Sequence, residues 1–427
     1  MINAGLLVIL AFVALALLRV PVFVALLAPA MVYTLLSGRP IVFPATSMVR
    51  LLDSFTLLAI PLFIYVGSLM NHGEITEKIF DFADDLVGHV DGGLAQVNIV
   101  TSLVFSGISG SALADIGGVG RVLIRSMSDA GYDDDFSAAL TSASATVGPI
   151  FPPSIPLILF GIIAEVSVLA LLLAGILPAV LTVAFLMAGT FYVAKRNDFP
   201  KNDQRASAGT IADSLLRALP ALVTPVVLIA GMLGGYFSPT EAAAVTVVYI
   251  LLVNTVIYRI TDPGYVWTAA VETAKTTGSI VIILAAAGLF SFVLSVEGVD
   301  DLFANALFAI SENPVVVLLL VNALLLFLGL FLDPIAALVM TTPIVYPALL
   351  EVGVHPVHIG VIMVFNLMLG LLTPPLGLSV YLSADIADVE VGRVFRSTRV
   401  YYGILFAALL VITYFPPISL FVLRYLN

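Results

Sequence analysis

The chain has 427 residues, 61% of them hydrophobic and only 11% charged, against about 45 to 50% and 25% in an ordinary soluble domain, so a water-covered surface is excluded. Its 17 basic and 28 acidic residues give a net charge of −11, which argues against a nucleic acid partner, because phosphate binding needs basic patches. Cysteine is absent, and with it disulfides, thiolate catalysis, iron–sulfur clusters and zinc–thiolate sites.

A helix needs about 20 mostly apolar residues to cross a bilayer. Thirteen runs of at least 17 residues free of Asp, Glu, Lys and Arg cover most of the chain, from 2–18 and 20–38, through 54–73, 92–114, 136–164 and 166–194, to 352–384 and 400–423. Lipid offers backbone polar groups no water, and continuously apolar runs do not fit the alternation of barrel strands, so the fold class is an all-α polytopic membrane protein. The run at 2–18 lacks a basic n-region and a small-residue cleavage site, and reads as a retained first helix. Segment 76–88 puts Ile79, Phe80, Ala83, Leu86 and Val87 on one helical face, which predicts a helix on the membrane surface or a packed arm between subdomains; 299–312 occupies the matching place later in the chain.

The most polar interval, 195–217, holds Lys195, Arg196, Lys201, Arg205 and Arg217. Short basic loops stay cytoplasmic, so this one is expected inside. It divides the chain into a first half at 1–200, a linker at 201–217 and a second half at 218–427. Gly107, Gly148, Pro152 and Pro153 recur as Gly329, Gly370, Pro374 and Pro375, all displaced by 222 residues. Glycine and proline interrupt helices, and paired interrupted segments in two halves of a transporter mark its binding site. The expectation is an internal repeat whose halves are inverted.

Unwound helix exposes carbonyls, and a hard cation such as sodium prefers oxygen ligands. Ser102, Ser106, Ser109 and Ser111 precede the first break and Thr141, Ser142, Ser144 and Thr146 precede Gly148, while Thr373 stands beside Pro374. Asp115 and Asp333 lie at the edges of apolar runs, where an ionisable residue is either functional or a helix cap. Arg121 and Arg125 either attract an anionic substrate or snorkel to an interface. His72, His89, His355 and His358 lack metal-ligand spacing. With no Walker motif, no GxGxxG after a strand, and no convergent nucleophile and base, neither ATP-driven transport nor an enzyme is indicated.

The strings FSGISGSALADIGGVG, TSASATVGPIFPPSIPLILFG, SPTEAAA, LGLFLDPIAALVMTTPIVYPAL and NLMLGLLTPPLGLSVYLSADIA resemble the large permease subunit of TRAP transporters, the tripartite ATP-independent periplasmic family, and the resemblance runs from about residue 5 to about residue 420. It implies a sodium-coupled importer of the bacterial inner membrane with an elevator mechanism, in which a body holding two re-entrant hairpins slides against a scaffold. It also implies a small four-helix membrane subunit and a periplasmic substrate-binding protein as partners, with sodium as coupling ion and no other cofactor. The solute would be a small organic acid (a dicarboxylate, a sialic or sugar acid) or a zwitterion such as ectoine. Carried onto matching positions, one sodium site falls at Ser106, Ser109, Gly148, Phe151 and Pro153, and the other at Gly329, Gly370, Thr373 and Leu376, mostly through main-chain carbonyls. Ser111, Asp115, Arg125 and Asp333 are the candidate substrate contacts. Many relatives have proline and alanine where this chain has Arg125 and Ser126 before Met127. The alternative reading is a self-sufficient secondary transporter or antiporter of the wider ion-transporter group.

Overall fold

The charge-free runs do become helices, but many stop short of a full span. The computed structural model describes residues 3–18, 20–40, 42–71, 75–197, 199–202, 204–260 and 262–425, and among them there is no strand. Among the described residues five helices are long and apolar enough to cross a membrane: Val168–Asn197, Ala208–Leu233, Pro239–Ile257, Gly264–Val296 and Pro334–Glu351. Counting two bent pairs, Phe43–Leu52 with Phe55–Met70 and Val391–Ser397 with Arg399–Tyr414, raises this to seven. The run at 2–18 yields Ala4–Leu17, capped by Asn3, whose side chain accepts from Gly5 and Leu6 N–H.

The runs at 92–114, 136–164 and 352–384 each contain an interruption. Helix Gly93–Ser109 ends at Gly110, whose φ of +62° is a backbone state open to glycine at little cost. Ser111 then restarts the chain by accepting from Ala114 N–H, and residues 112–129 run back against 93–109 as a hairpin. Helix Asp134–Ala145 is followed by an unwound stretch, and Ser154 opens Ile155–Ile163 by accepting from Leu157 N–H. The same order recurs later: Pro314–Gly329 and Pro334–Glu351 form a second hairpin, while Pro356–Gly370 and Leu378–Ala387 flank a second unwound stretch. The Pro152–Pro153 and Pro374–Pro375 peptide bonds, one in each stretch, are both cis.

These interrupted elements pack on one another across the halves. Leu378–Ala387 lies on Asp134–Ala145, and Ile155–Ile163 on Pro334–Glu351 and Pro356–Gly370. Buried Ser142 seals one such contact, sharing a 2.6 Å hydrogen bond with the Ser383 hydroxyl and donating to the Ser379 carbonyl. A second group of helices is built around Gly264–Val296: Val22–Leu36 and Ala59–Met70 pack on it, and Pro239–Leu252 packs on Ala59–Met70.

The predicted arm at 76–88 is helix Ile75–Val87, lodged between Gly93–Ser109 and Ala208–Leu233. Ile79 and Ala83 are buried as expected, but Leu86 is exposed. Its counterpart is Val299–Phe308. The connector is shorter than the expected 201–217: helix already resumes at Ala208, with Ser207 as its cap, and Lys195 and Arg196 belong to the preceding helix. Asp198 and Asp203 lie outside the described residues. The connector is pinned to the base of the first hairpin by the Lys201–Asp91 ion pair and by the Tyr132 hydroxyl donating to the Pro200 carbonyl at 2.6 Å, and to the arm helix by Asn202 donating to Asp84. Lys201 holds the Asp91 carboxyl below its ordinary range.

Candidate functional site

The first break gathers a carboxylate, two hydroxyls and a glycine backbone. Asp115 is 1% exposed, and both its oxygens accept from hydroxyls of the opposing hairpin helix: Ser106 donates at 3.0 Å and Ser109 donates to the other oxygen. Gly148, from the unwound stretch, closes over them, so that a Cβ placed on it would lie 2.7 Å from Asp115 Oδ2 and 3.3 Å from Ser106 Oγ. Phe151 lays its ring on Gly107, and the Pro153 carbonyl lies against Gly110 at the hairpin tip. Ser106, Ser109, Gly148, Phe151 and Pro153 therefore surround one spot. Asp115 belongs to this buried cluster and does not line the open cavity described below.

The second break is built from backbone. Gly329 and Gly370 touch main chain to main chain, leaving room for no side chain, since a Cβ on Gly370 would meet the Gly329 oxygen at 2.5 Å. The Thr373 hydroxyl donates to the Leu369 carbonyl at 2.7 Å. Leu376 is 38% exposed. The positions 222 residues after Ser106, Ser109 and Asp115 are Leu328, Phe331 and Ala337, so this break has no counterpart of the first carboxylate or its two hydroxyls.

The two hairpin tips share a cavity of about 90 Å³, lined by Ser111, Leu113, Pro149, Pro156, Asp333 and Met368 among others, with Thr276 and Ile280 as its wall from helix Gly264–Val296. Asp333 caps the second hairpin helix, accepting from Ile335 N–H at 3.0 Å and Ala336 N–H at 3.3 Å. Its capping and cavity-lining roles coexist. Arg121 and Arg125 are exposed on the returning helix of the first hairpin. At about 1.5 Å per helical residue Arg125 lies roughly 20 Å from Ser111, so the structure does not bring it to the cavity.

Several supporting residues were missed in the sequence. Asn98 donates to Thr141 at 2.7 Å and accepts from Ser144, which also pairs with Ser102 at 2.9 Å, binding the first hairpin to its broken helix. Asn366 does the same in the second half, donating to the Asn322 side chain at 2.7 Å, and Asn322 donates to Thr413. His358 bonds the Thr413 carbonyl and His355 caps its own helix; His72 lies outside the described residues. Among the described residues no three His, Cys, Asp or Glu are grouped to hold a metal ion.

The chain resembles known proteins over almost its whole length. The family model for the tripartite ATP-independent periplasmic transporter DctM component matches residues 9–418. The chain is 39% identical over 405 residues to the sialic acid TRAP transporter large permease protein SiaM of Vibrio cholerae, covering 94% of each. It is 36% identical over 404 residues to the sialic acid TRAP transporter permease protein SiaT of Haemophilus influenzae, covering 94% of this chain but only 65% of that longer one. The crystal structure of the Alcanivorax borkumensis YdaH transporter matches with a TM-score of 0.59 at 14% identity over 87% of each chain, a likeness of fold alone.

Proposed function

The chain belongs to the tripartite ATP-independent periplasmic transporter family as its DctM component, a multi-pass protein of the bacterial inner membrane, and from that premise we propose that it imports a small organic acid by coupling to sodium. The observation that carries this reading is the pair of interrupted hairpins whose tips, through Ser111 and Asp333, open on one cavity beside the buried Asp115 cluster. A carboxylate at membrane depth needs a compensating partner. Sodium held by Asp115, Ser106, Ser109 and the carbonyls around Gly148 supplies it. The second ion sits among the carbonyls around Gly329, Gly370 and Thr373, with no side-chain charge. The organic-acid class follows from the relatives named for sialic acid uptake.

The two halves act as inverted repeats. The hairpins and broken helices move together as one body against the helices 22–36, 59–70, 239–252 and 264–296. A small membrane subunit extends that scaffold and a periplasmic binding protein delivers the solute, as a tripartite family implies. Proteoliposomes with all components test the reading: uptake of a matched organic acid requires an inward sodium gradient and no ATP. Full-rate uptake with sodium replaced by choline, or by this chain alone without a binding protein, overturns it.

A further inference from the structure

Asp135 fastens helix Val391–Ser397 to helix Asp134–Ala145: Arg393 donates to one of its oxygens at 3.2 Å and Ser397 to the other at 2.5 Å. Beside this tie lies a cavity of about 450 Å³. Arg396 and Asp133 both line it, both are exposed, and neither side chain has a hydrogen-bond or ion-pair partner among the described residues. Two opposite charges therefore share one cavity without bridging each other. Asp135, the remaining charged group of the lining, is already neutralised by Arg393, so the cavity offers a ligand one free charge of each sign.

The cavity changes character with depth. Helix Val168–Asn197 ends where helix Arg399–Tyr414 begins, and the two pack against each other. Asn197, Arg396 and Ser397 stand at the connector end of this pair, while Val193 and Val400, four residues further along from Asn197 and Arg396, make the deeper wall apolar. The floor is aromatic: Phe136 and Tyr401 are buried, and the Phe199 ring centre lies 4.6 Å from that of Phe136. Tyr192 and Val400 are exposed, so this side of the helix pair meets lipid. A polar, charged mouth above an apolar wall on a membrane-facing side matches the boundary between headgroups and acyl chains, and charged pockets between spanning helices hold lipid headgroups.

We propose that this cavity binds the headgroup of a phospholipid that carries an amine, of the phosphatidylethanolamine type. Arg396 takes the phosphate oxygens, for which its planar fork is suited. Asp133 accepts from the ammonium group, which an ethylene chain holds apart from the phosphate. The glycerol and the first acyl carbons lie along Val193 and Val400. A purely anionic lipid satisfies Arg396 but sets its second polar group against the Asp133 carboxylate with no cation to meet it. A soluble zwitterion satisfies both charges but leaves the apolar wall uncovered. The assignment depends neither on sodium coupling nor on partner subunits.

The test supplies the delipidated full-length chain in detergent with phosphatidylethanolamine, phosphatidylglycerol or tail-less phosphorylethanolamine, and counts bound molecules by native mass spectrometry. Phosphatidylethanolamine is expected to be retained well above the other two. Arg396→Gln and Asp133→Asn are each expected to weaken its binding about tenfold, the loss of one contact to a charged group. Asp133→Glu, which keeps the charge, retains most of it, and so does Arg399→Gln, exposed nearby but outside the cavity wall. Phosphatidylglycerol bound as well as phosphatidylethanolamine, or bound better after Asp133→Asn, would reduce the cavity to an anion site and overturn the amine assignment. Phosphorylethanolamine bound as tightly as the lipid would make the ligand a soluble one and overturn the membrane assignment. Lipid retention that neither charge variant changes overturns the site itself. The comparison of the three ligands on the wild type decides the matter even where a variant fails to fold.

Discussion

The Asp115 carboxylate and the Gly148 backbone approach so closely that a Cβ on Gly148 would stand 2.7 Å from Asp115 Oδ2. This joins the first hairpin to the first broken helix through a glycine and a carboxyl side chain, whereas Gly329 and Gly370 join the second pair through backbone alone. A side chain can swing aside and a main chain cannot. Gly148→Val is therefore expected to insert and fold but to weaken sodium dependence at least tenfold, about 1.4 kcal/mol. Gly370→Val has to push its helix away from the one ending at Gly329, with overpacking costs of about 1–3 kcal/mol, and abolishes uptake. Sodium titrations of uptake and thermal melts of both variants check this against Ala170→Val in helix Val168–Asn197, which stays near wild type. Wild-type uptake and sodium affinity in both glycine variants would show that these contacts serve packing only.

Asp115→Asn probes the charge itself. The amide is nearly the same shape and still accepts from Ser106, so the hairpin contact survives, but the negative charge facing the ion is lost. The sodium concentration for half-maximal uptake should rise at least tenfold, about 1.4 kcal/mol, or uptake should vanish in a folded protein. Ser106→Ala, which removes a neutral ligand, should do less. An unchanged sodium curve in Asp115→Asn would remove the carboxylate from the ion site.

Both breaks were legible in the sequence because glycine and proline leave a mark at 107, 148, 152 and 153 that repeats 222 residues on, and the serines around them fall where the structure gathers them. Span number was not legible in the same way. A run free of charge looks alike whether it crosses the membrane once or turns back inside it, so the count of charge-free runs alone gives no sign of the turns at Gly110 and before Ser154. Counting charges also passed over Asn98, Asn322 and Asn366, whose side chains staple hairpin to broken helix without changing any formal charge. The destination of Asp115 needed the third dimension: its burial depends on Gly148, 33 residues away, having no side chain.

The connector offers a check on orientation. Arg205 lies within it, Arg217 stands in the first three turns of the helix that follows, Lys195 and Arg196 end the helix before it, and Lys201 ties it to Asp91 at the base of the first hairpin. Basic residues in a short segment beside a membrane helix favour the cytoplasmic side. A thiol at Ser207→Cys, the cap of helix Ala208–Leu233, should resist an impermeant maleimide in intact cells and react after permeabilisation. Efficient labelling from outside would reverse the topology and place the hairpin base outside as well.

Sliding of one body against another makes opposite demands on two pairs of positions. Asn71 ends helix Ala59–Met70, in the proposed scaffold, and its Cγ lies 2.9 Å from where a Cβ on Gly118 would sit, in the returning arm of the first hairpin. One further bond of about 1.5 Å puts the two Cβ positions within roughly 4.4 Å, inside the span a disulfide bridges. Ser142 and Ser383, with hydroxyls 2.6 Å apart, both belong to the proposed moving body. In a chain without native cysteine, oxidised Asn71→Cys/Gly118→Cys should lose uptake and recover it with reductant, since the bridge fastens mover to scaffold. Oxidised Ser142→Cys/Ser383→Cys should retain most of its uptake, since that bridge fastens the mover to itself. Cross-linking yield by mass spectrometry establishes that each bridge has formed. Full uptake with the first bridge closed would mean that the hairpin does not slide past helix Ala59–Met70, and the elevator mechanism would fail for this protein.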